Sequence, residues 1–118
     1  MSDTHAHINM LENPELGIME SRNAGVEEII IPAACETDFE QILDLCHRFD
    51  KVYCTLGVHP ENCQEFNNAT AKKIIELAKD KKVVGIGEIG LDYHYSKDNK
   101  EIQKNCFINQ IEIAKLLD

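Results

Sequence analysis

Short apolar runs alternate with amphipathic segments along the 118 residues of the chain. Three of these runs are apolar with little polar alternation, as expected of parallel strands that are buried on both faces. They cover residues 28–33, 52–58 and 83–89, and a fourth, weaker run covers residues 2–7. The pattern therefore predicts four strands with room for a helix after each of them.

Helical periodicity fills the segments between these runs. Helices are predicted over residues 15–24, 37–49, 70–79 and 100–117, and Gly25 is a suitable stop for the first. Thr37 and Glu40 match the capping-box pattern, so we expect the second helix to begin with mutual bonding of their side chains and backbone amides. The apolar positions of the last helix are Ile102, Cys106, Ile108, Ile111, Ala114 and Leu117.

The order of these elements is β/α repeated four times. Such alternation indicates an α/β fold with parallel strands and right-handed crossovers. Two architectures fit it, namely a small open sheet and the first four β/α units of a TIM-type (β/α)8 barrel. A complete barrel needs about 250 residues. In the second case residues 1–118 would be a single partial domain, an incomplete barrel.

Composition excludes some classes of protein. With 43% hydrophobic and 28% charged residues, the chain has the balance of a soluble globular domain. It has no apolar run near the ~18 residues that cross a bilayer and no signal-peptide pattern, so we expect no membrane association and a cytoplasmic location. The five cysteines are odd in number and form no CxxC pair, which favours reduced thiols over disulfides or a zinc cluster.

The net charge of −9 bears on the type of partner. Proteins that coat duplex nucleic acid usually carry a basic stripe, and this chain carries none. A nuclease is still compatible with an acidic chain, because bound metal ions can supply the positive charge that meets a phosphate.

Two histidines stand close together near the start of the chain, at His5 and His7. On a strand, residues i and i+2 point to the same face, so this pair aims two imidazoles at one point, and imidazole is a good ligand for divalent ions. Asp3 would lie on that face and could accept a hydrogen bond from an imidazole, orienting it behind the metal. The alternative is a solvated histidine pair.

Two further segments carry candidate chemistry. His59, followed by Pro60, falls where the third strand should end, although a turn histidine without a role also fits. Glu88 interrupts the apolar fourth strand, and a carboxylate there is costly unless it is paired or bound to a metal. Glycines at 85, 87 and 90 leave space near it for a backbone or a ligand.

These residues share one edge of the predicted sheet. Functional side chains in parallel β/α folds gather at the C-terminal ends of the strands. The histidine pair ends strand one, His59 ends strand three, Glu88 ends strand four, and Asp92 follows in the fourth loop. This shared position is a stronger indication of a site than any one of the motifs.

The chain resembles the TatD family of metal-dependent deoxyribonucleases, which belongs to the amidohydrolase-like metal barrels. The matching segments stand in the family's order and spacing and run through the whole chain: Asp3-Thr4-His5-Ala6-His7, Gly57-Val58-His59-Pro60 and Gly87-Glu88-Ile89-Gly90-Leu91-Asp92-Tyr93. The resemblance implies the barrel architecture and hydrolysis of DNA phosphodiester bonds, with single-stranded 3′ ends as the expected substrate.

The resemblance also implies roles for single residues. His5 and His7 would bind one metal ion, and Glu88 would bridge it to a second, the two being Zn, Mg or Mn. His59 would lie near the bound phosphate and, with Glu88, is a candidate catalytic residue. Asp92 and Tyr93 would shape the fourth loop against the substrate.

Family members continue with a fifth and a sixth strand that each end in histidine, and with a later strand that carries an aspartate. No residues of this chain match these ligands, so we expect a truncated polypeptide that is inactive alone. Two other interpretations stay open: a related metal-dependent hydrolase of small esters or amides, and a non-catalytic fragment or interaction module. The free edges of strands one and four would favour self-association.

Overall fold

A computed structural model describes residues 1–91 and 100–117, in which a sheet of four parallel strands is flanked by helices. The strands are β1 (Ser2–Asp3), β2 (Glu28–Pro32), β3 (Val52–Leu56) and β4 (Val83–Ile86), and their spatial order is the chain order. The register aligns Asp3 with Ile29, Ile29 with Val52, and Leu56 with Ile86. Asp92 and Tyr93 lie outside the described residues.

Each strand begins where the apolar pattern predicts it, but each ends earlier. The first strand is two residues long instead of six, and the fourth ends at Ile86 instead of Ile89. The apolar pattern continues past the hydrogen-bonded ladder, because the backbone leaves the sheet while its side chains remain partly covered. The last residues of the predicted strands therefore lie in the loops that carry the candidate site.

The helices are α1 (Pro14–Asn23), α2 (Phe39–Arg48), α3 (Asn68–Leu77) and α4 (Lys100–Leu117), with short 3-10 turns at Ile8–Met10, Glu36–Asp38 and Pro60–Glu65. The core lies between the sheet and these helices. It contains alternate residues of β3 packed with large side chains from the helices: Val52, Cys54, Leu56, Ile18, Phe39, Ile42 and Ile74. This packing positions the carboxyl ends of β2 and β3.

The predicted capping box at the start of α2 is wrong. Asp38 is the N-cap residue of α2, but its side chain makes no cap bond to that helix. Its carboxylate instead accepts the backbone N–H groups of Ala34 (3.0 Å) and Cys35 (3.2 Å), at the start of the preceding 3-10 turn. The Thr37 hydroxyl instead contacts the Cys35 sulfur at 3.0 Å. A 3-10 turn over Glu36–Asp38 precedes the helix and moves the capping position by one residue.

The buried face of α4 also differs from its apolar stripe. The buried residues are Gln103, Cys106, Gln110 and Ile113. Ile102 and Ile108, which the stripe placed inside, are 46% and 45% exposed. Two glutamines are thus buried in preference to two isoleucines, and hydrophobic periodicity could not predict this.

Three features outside the site concern the cysteines, one histidine and the hydropathy of the helices. All five cysteines, each within the described part of the chain, are free thiols. His47 lies on the exposed side of α2 and pairs with Asp80, whose pKa is lowered chiefly by the Lys82 backbone N–H and further by His47. No helix in the described ranges is long and apolar enough to span a bilayer.

Candidate metal centre

His5 and His7 converge, but not through the alternation of a strand. Both follow β1 in the loop, where the Ala6 N–H between them donates to the Ile30 carbonyl at 3.1 Å. This bond holds the loop beside β2, and the two imidazoles meet edge to face with their Nε2 atoms 3.2 Å apart. The pair is therefore oriented by the neighbouring strand as well as by its own sequence spacing.

Glu88 reaches the histidines because the chain crosses over the end of β3. After Ile86, the Gly87 N–H donates to the Leu56 carbonyl (2.9 Å) and the Glu88 N–H donates to the Ala33 carbonyl (2.8 Å). The expectation that Glu88 lies inside strand four is wrong, since the residue follows β4 and its side chain is 28% exposed. The crossing moves its carboxylate from the sheet edge toward the middle of the sheet.

Gly57 makes this crossing possible. A Cβ at this position would lie 2.6 Å from the Gly87 carbonyl carbon and 2.7 Å from its oxygen. Real Cβ atoms essentially never approach other atoms so closely. The close backbone approach anticipated from the glycines thus occurs, with Gly57 as the residue that must lack a side chain.

Three potential ligands lie together at this point. The Glu88 Oε2 is 3.7 Å from the His5 Nε2 and 3.4 Å from the His7 Nε2. Tetrahedral ligands ~2.1 Å from a zinc ion lie ~3.4 Å from one another. The donor set and its spacing therefore fit a divalent metal ion, and it is the only three-ligand cluster in residues 1–91 and 100–117.

His59 is held on the other side of the carboxylate. Its backbone N–H donates to the Ala34 carbonyl at 2.7 Å, and its Nδ1 accepts the Glu61 backbone N–H at 3.1 Å. The accepting Nδ1 assigns the proton of the neutral ring to Nε2. That Nε2–H lies 3.8 Å from the Glu88 Oε1, so His59 presents a donor beside the cluster.

The carboxyl end of β2 supports the site although its side chains carry no chemistry. The Ala33 carbonyl holds Glu88, and the Ala34 carbonyl holds His59 and also accepts the Asn62 side-chain N–H at 3.2 Å. Because backbone carbonyls make these bonds, no residue type in the sequence indicates that this segment supports the site.

Asp3 bonds to the backbone of the histidine segment, whereas the sequence predicted a bond to an imidazole ring. Its carboxylate accepts the backbone N–H of His5 at 3.1 Å. The Nδ1 of His7 is buried without a hydrogen-bond partner in the described part of the chain. The role of Asp3 as an acceptor for an imidazole stays a prediction, as do the substrate contacts of Asp92 and Tyr93.

The cluster opens into a shallow depression of about 280 Å³. Its lining combines the metal-ligand candidates with the loops after β1, β2 and β3: His7, Met10, Ala34, His59, Glu61, Asn62 and Glu88. A site at the carboxyl end of parallel strands that is open to solvent is suited to an external substrate.

Comparison with known proteins identifies the family. The family model for TatD related DNase matches residues 2–118 of the chain. This chain belongs to the TatD family.

Among its TatD relatives, the metal-dependent hydrolase YabD of Bacillus subtilis is 35% identical over 96% of the chain and 46% of YabD. The 3′-5′ ssDNA/RNA exonuclease TatD of Escherichia coli is 35% identical over 78% of the chain and 35% of that protein. The chain spans less than half the length of these curated relatives.

A solved TatD homologue confirms the architecture. The crystal structure of YjjV from Escherichia coli superposes with a TM-score of 0.90 at 28% identity, covering 100% of this chain and 48% of that one. The chain has the fold of the first four β/α units of a TIM-type barrel, and the open-sheet alternative is wrong.

Proposed function

We propose that this chain carries the first half of the active site of a metal-dependent nuclease that acts on the 3′ ends of single-stranded DNA. The observation that carries the proposal is the convergence of His5, His7 and Glu88, with the Nε2–H of His59 beside them. Relatives named as ssDNA/RNA exonucleases support the substrate class.

The residues of this chain divide the work as follows. His5, His7 and Glu88 would hold a divalent ion, which when bound polarises a phosphodiester and activates water. The Glu88 N–H bonds to the Ala33 carbonyl, which holds the backbone where its carboxylate faces the two histidines. His59 would donate its Nε2–H to a phosphate oxygen, and the Glu61 backbone keeps the ring in that tautomer.

The two oxygens of Glu88 face different neighbours. Oε2 faces the histidine pair, whereas Oε1 faces His59. Glu88 would therefore be the residue of this chain able to help hold a second ion as well as the first. Zn, Mg and Mn are the candidate metals; imidazole ligands favour the first and carboxylate ligands the other two.

The metal site can be tested by titration. We expect the purified chain to bind Zn²⁺ or Mn²⁺ weakly, because three ligands without a closed site hold an ion poorly. His7→Ala should weaken this binding by more than ~10-fold. The exposed His47 lies outside the site, so His47→Ala is the matched control and should bind as the parent chain does. Equal affinity in the His7→Ala chain would remove the ligand assignment.

The activity of the isolated chain is a second test. We expect its cleavage of single-stranded DNA to be far slower than that of intact TatD, because the described residues offer one three-ligand cluster and a two-metal site needs more. Rapid metal-dependent cleavage that disappears in Glu88→Ala would show instead that this half of the site is sufficient.

A second candidate function is the hydrolysis of small esters or amides. The acidic net charge of −9 favours it, since it gives no electrostatic attraction to a polyanion. A panel of labelled single-stranded DNA and small chromogenic esters, assayed with the metal-loaded chain, separates the two. Turnover of the esters alone would favour the second candidate.

A further inference from the structure

Gln110 is a buried polar residue that bonds to the backbone next to His59. Its side chain is on α4, is 1% exposed, and forms two bonds to a single residue. The Val58 N–H donates to Oε1 at 2.7 Å, and Nε2 donates to the Val58 carbonyl at 3.1 Å. One amide thus satisfies both backbone groups of a residue 52 positions away in sequence.

These two backbone groups need a partner because β4 has moved away. In a parallel ladder, alternate residues direct their backbone groups to the same neighbour. Cys54 and Leu56 bond to the β4 side, at Lys82 and Gly87, so Val58 faces that side as well. At this level the chain after Gly87 crosses over β3 toward Ala33, which leaves Val58 without a strand partner. The Gln110 side chain makes the two hydrogen bonds to Val58 that a neighbouring strand would otherwise make.

A third contact is consistent with this orientation of the Gln110 amide. Nε2 also donates to the Cys106 sulfur at 3.2 Å, one turn earlier on α4. Burial raises the pKa of the Cys106 thiol to about 11, so it is a neutral acceptor at physiological pH. Val58 and Cys106 belong to a small apolar cluster that excludes water from these bonds.

The consequence falls on His59, the next residue along the chain. The Gln110 amide holds Val58 on the α4 side, and the Ala34 carbonyl holds the His59 N–H on the β2 side. Two successive residues are thus fixed from opposite sides. This leaves the His59 ring directed at Glu88 by the Glu61 N–H.

We propose that Gln110 is a positioning residue for His59, fixing the loop that presents the His59 Nε2–H to a substrate phosphate oxygen. The proposal rests on the proposed function for the phosphate-binding role of His59. The claim about backbone and ring position can be tested without substrate. A generic buried glutamine would stabilise the fold, but it would have no specific effect on the His59 ring.

The test compares Gln110→Met with Ile113→Val. Methionine has a similar length and fills the space without either hydrogen bond. Ile113 is buried on the same face of α4 and packs into the main core, so its variant reports general loosening. Amide exchange of Val58 and nitrogen NMR of the His59 ring at ~pH 8, above the ordinary histidine range, are the readouts.

In the unmodified chain we expect the Val58 amide to be protected like that of Cys54, and the His59 ring to be a single Nε2–H tautomer. In Gln110→Met, Val58 exchange should accelerate at least ~10-fold relative to Cys54, and the ring should show mixed tautomers. Ile113→Val should change neither signal. An unprotected Val58 amide in the parent chain, or an unchanged ring in a folded Gln110→Met chain, would overturn the proposal.

A titration with inorganic phosphate separates this proposal from the proposed function. If phosphate shifts the His59 ring in the parent chain, and does so at least ~10-fold more weakly in Gln110→Met, both are supported. If phosphate leaves the parent ring unchanged, the phosphate role of His59 fails. The exchange and tautomer results still decide whether Gln110 positions the ring.

Discussion

At the scale of single residues, the site depends on Gly57, because a residue with a Cβ would clash at this position. Gly57 allows the Gly87 backbone to pass over the end of β3, and this crossing brings Glu88 to the histidines. The apolar strand pattern places Glu88 at a strand end, but only the contact between Gly57 and Gly87 shows how the carboxylate reaches the centre. Gly85 is less critical, since a Cβ there would meet the Thr55 methyl at 3.4 Å, an ordinary contact.

The first residue-scale prediction concerns Gly57→Ala. The added methyl would force the Gly87 backbone away, so we expect a loss of about 1–3 kcal/mol in the free energy of unfolding. Because Glu88 moves with that backbone, metal affinity should fall as well. Denaturant unfolding and metal titration measure the two effects.

Gly85→Ala is the matched control, because it adds the same methyl to β4 without a severe contact. It should retain most of the metal affinity of the parent chain. Equal losses of metal affinity in both variants would mean that the crossing at Gly57 does not determine where Glu88 lies.

At the scale of elements, the carboxyl end of β2 connects the fold to the site. Its last residues have no reactive side chains, yet the Ala33 and Ala34 carbonyls hold Glu88 and His59. Asp38, before α2, holds this segment in turn through the Ala34 and Cys35 amides. The residue before α2 therefore stabilises the segment whose carbonyls hold Glu88 and His59.

The element-scale prediction compares Asp38, whose carboxylate bonds to two backbone amides, with Thr37, which the sequence pattern makes the cap. Asp38→Ala should lower the free energy of unfolding by about 1–2 kcal/mol, because two backbone amides lose their acceptor. Thr37→Ala should change it by less than about 0.5 kcal/mol, since its hydroxyl caps no backbone group. Thermal unfolding of both variants measures the difference, and the reverse order would restore the predicted capping box.

At the scale of the whole molecule, the sheet has two edges. β1 and β4 are the outer strands of the sheet, and neither has a second strand neighbour among the described residues. Beside β4, a groove of about 250 Å³ runs along apolar residues of the strand and α4: Ala78, Val83, Val84, Gly85, Ile86, Ala114 and Leu117. Val84 is 52% and Leu117 39% exposed, so this side presents apolar surface to water.

We expect the isolated chain to self-associate through these edges or to be only partly ordered. Unpaired strand edges and contiguous apolar surface favour association, and two copies joined edge to edge would form a two-fold symmetric closure. Sedimentation at micromolar concentration and amide exchange are the measurements. A stable monomer with full protection of β4 would contradict this expectation.

A charge on the edge strand provides the control for this prediction. Val84→Lys should shift the chain toward monomer, because lysine on an edge opposes strand pairing. Met19→Lys places the same charge on α1, where the side chain is 56% exposed, and should leave association unchanged. Equal effects of the two substitutions would indicate that net charge, and not the β4 edge, controls association.

The amino-acid sequence by itself determined the order of the elements, the starting points of the strands and the residue types of the candidate metal cluster. These features are local, since apolar runs and helical periodicity depend on near neighbours, and ligand chemistry depends on residue type. Residue type and position along the chain therefore predict His5, His7, His59 and Glu88 as site residues, and the structure places these four side chains close together. The family resemblance then distinguished half of a barrel from an open sheet, and the superposition on YjjV confirmed that choice.

Only the structure decided where the strands stop, how the segment before α2 is hydrogen-bonded and which face of α4 is buried. Two of these depend on a contact between distant segments, Gly57 with Gly87 and Gln110 with Val58. The other depends on a choice between local bonds, because the Asp38 carboxylate bonds back to Ala34 and Cys35 and not forward into the helix. Gln110 would be placed on a solvent-facing surface by its polarity. It is buried because the crossing chain leaves two backbone groups of Val58 that must be hydrogen-bonded, and a pairing between residues so far apart has no signature in local sequence.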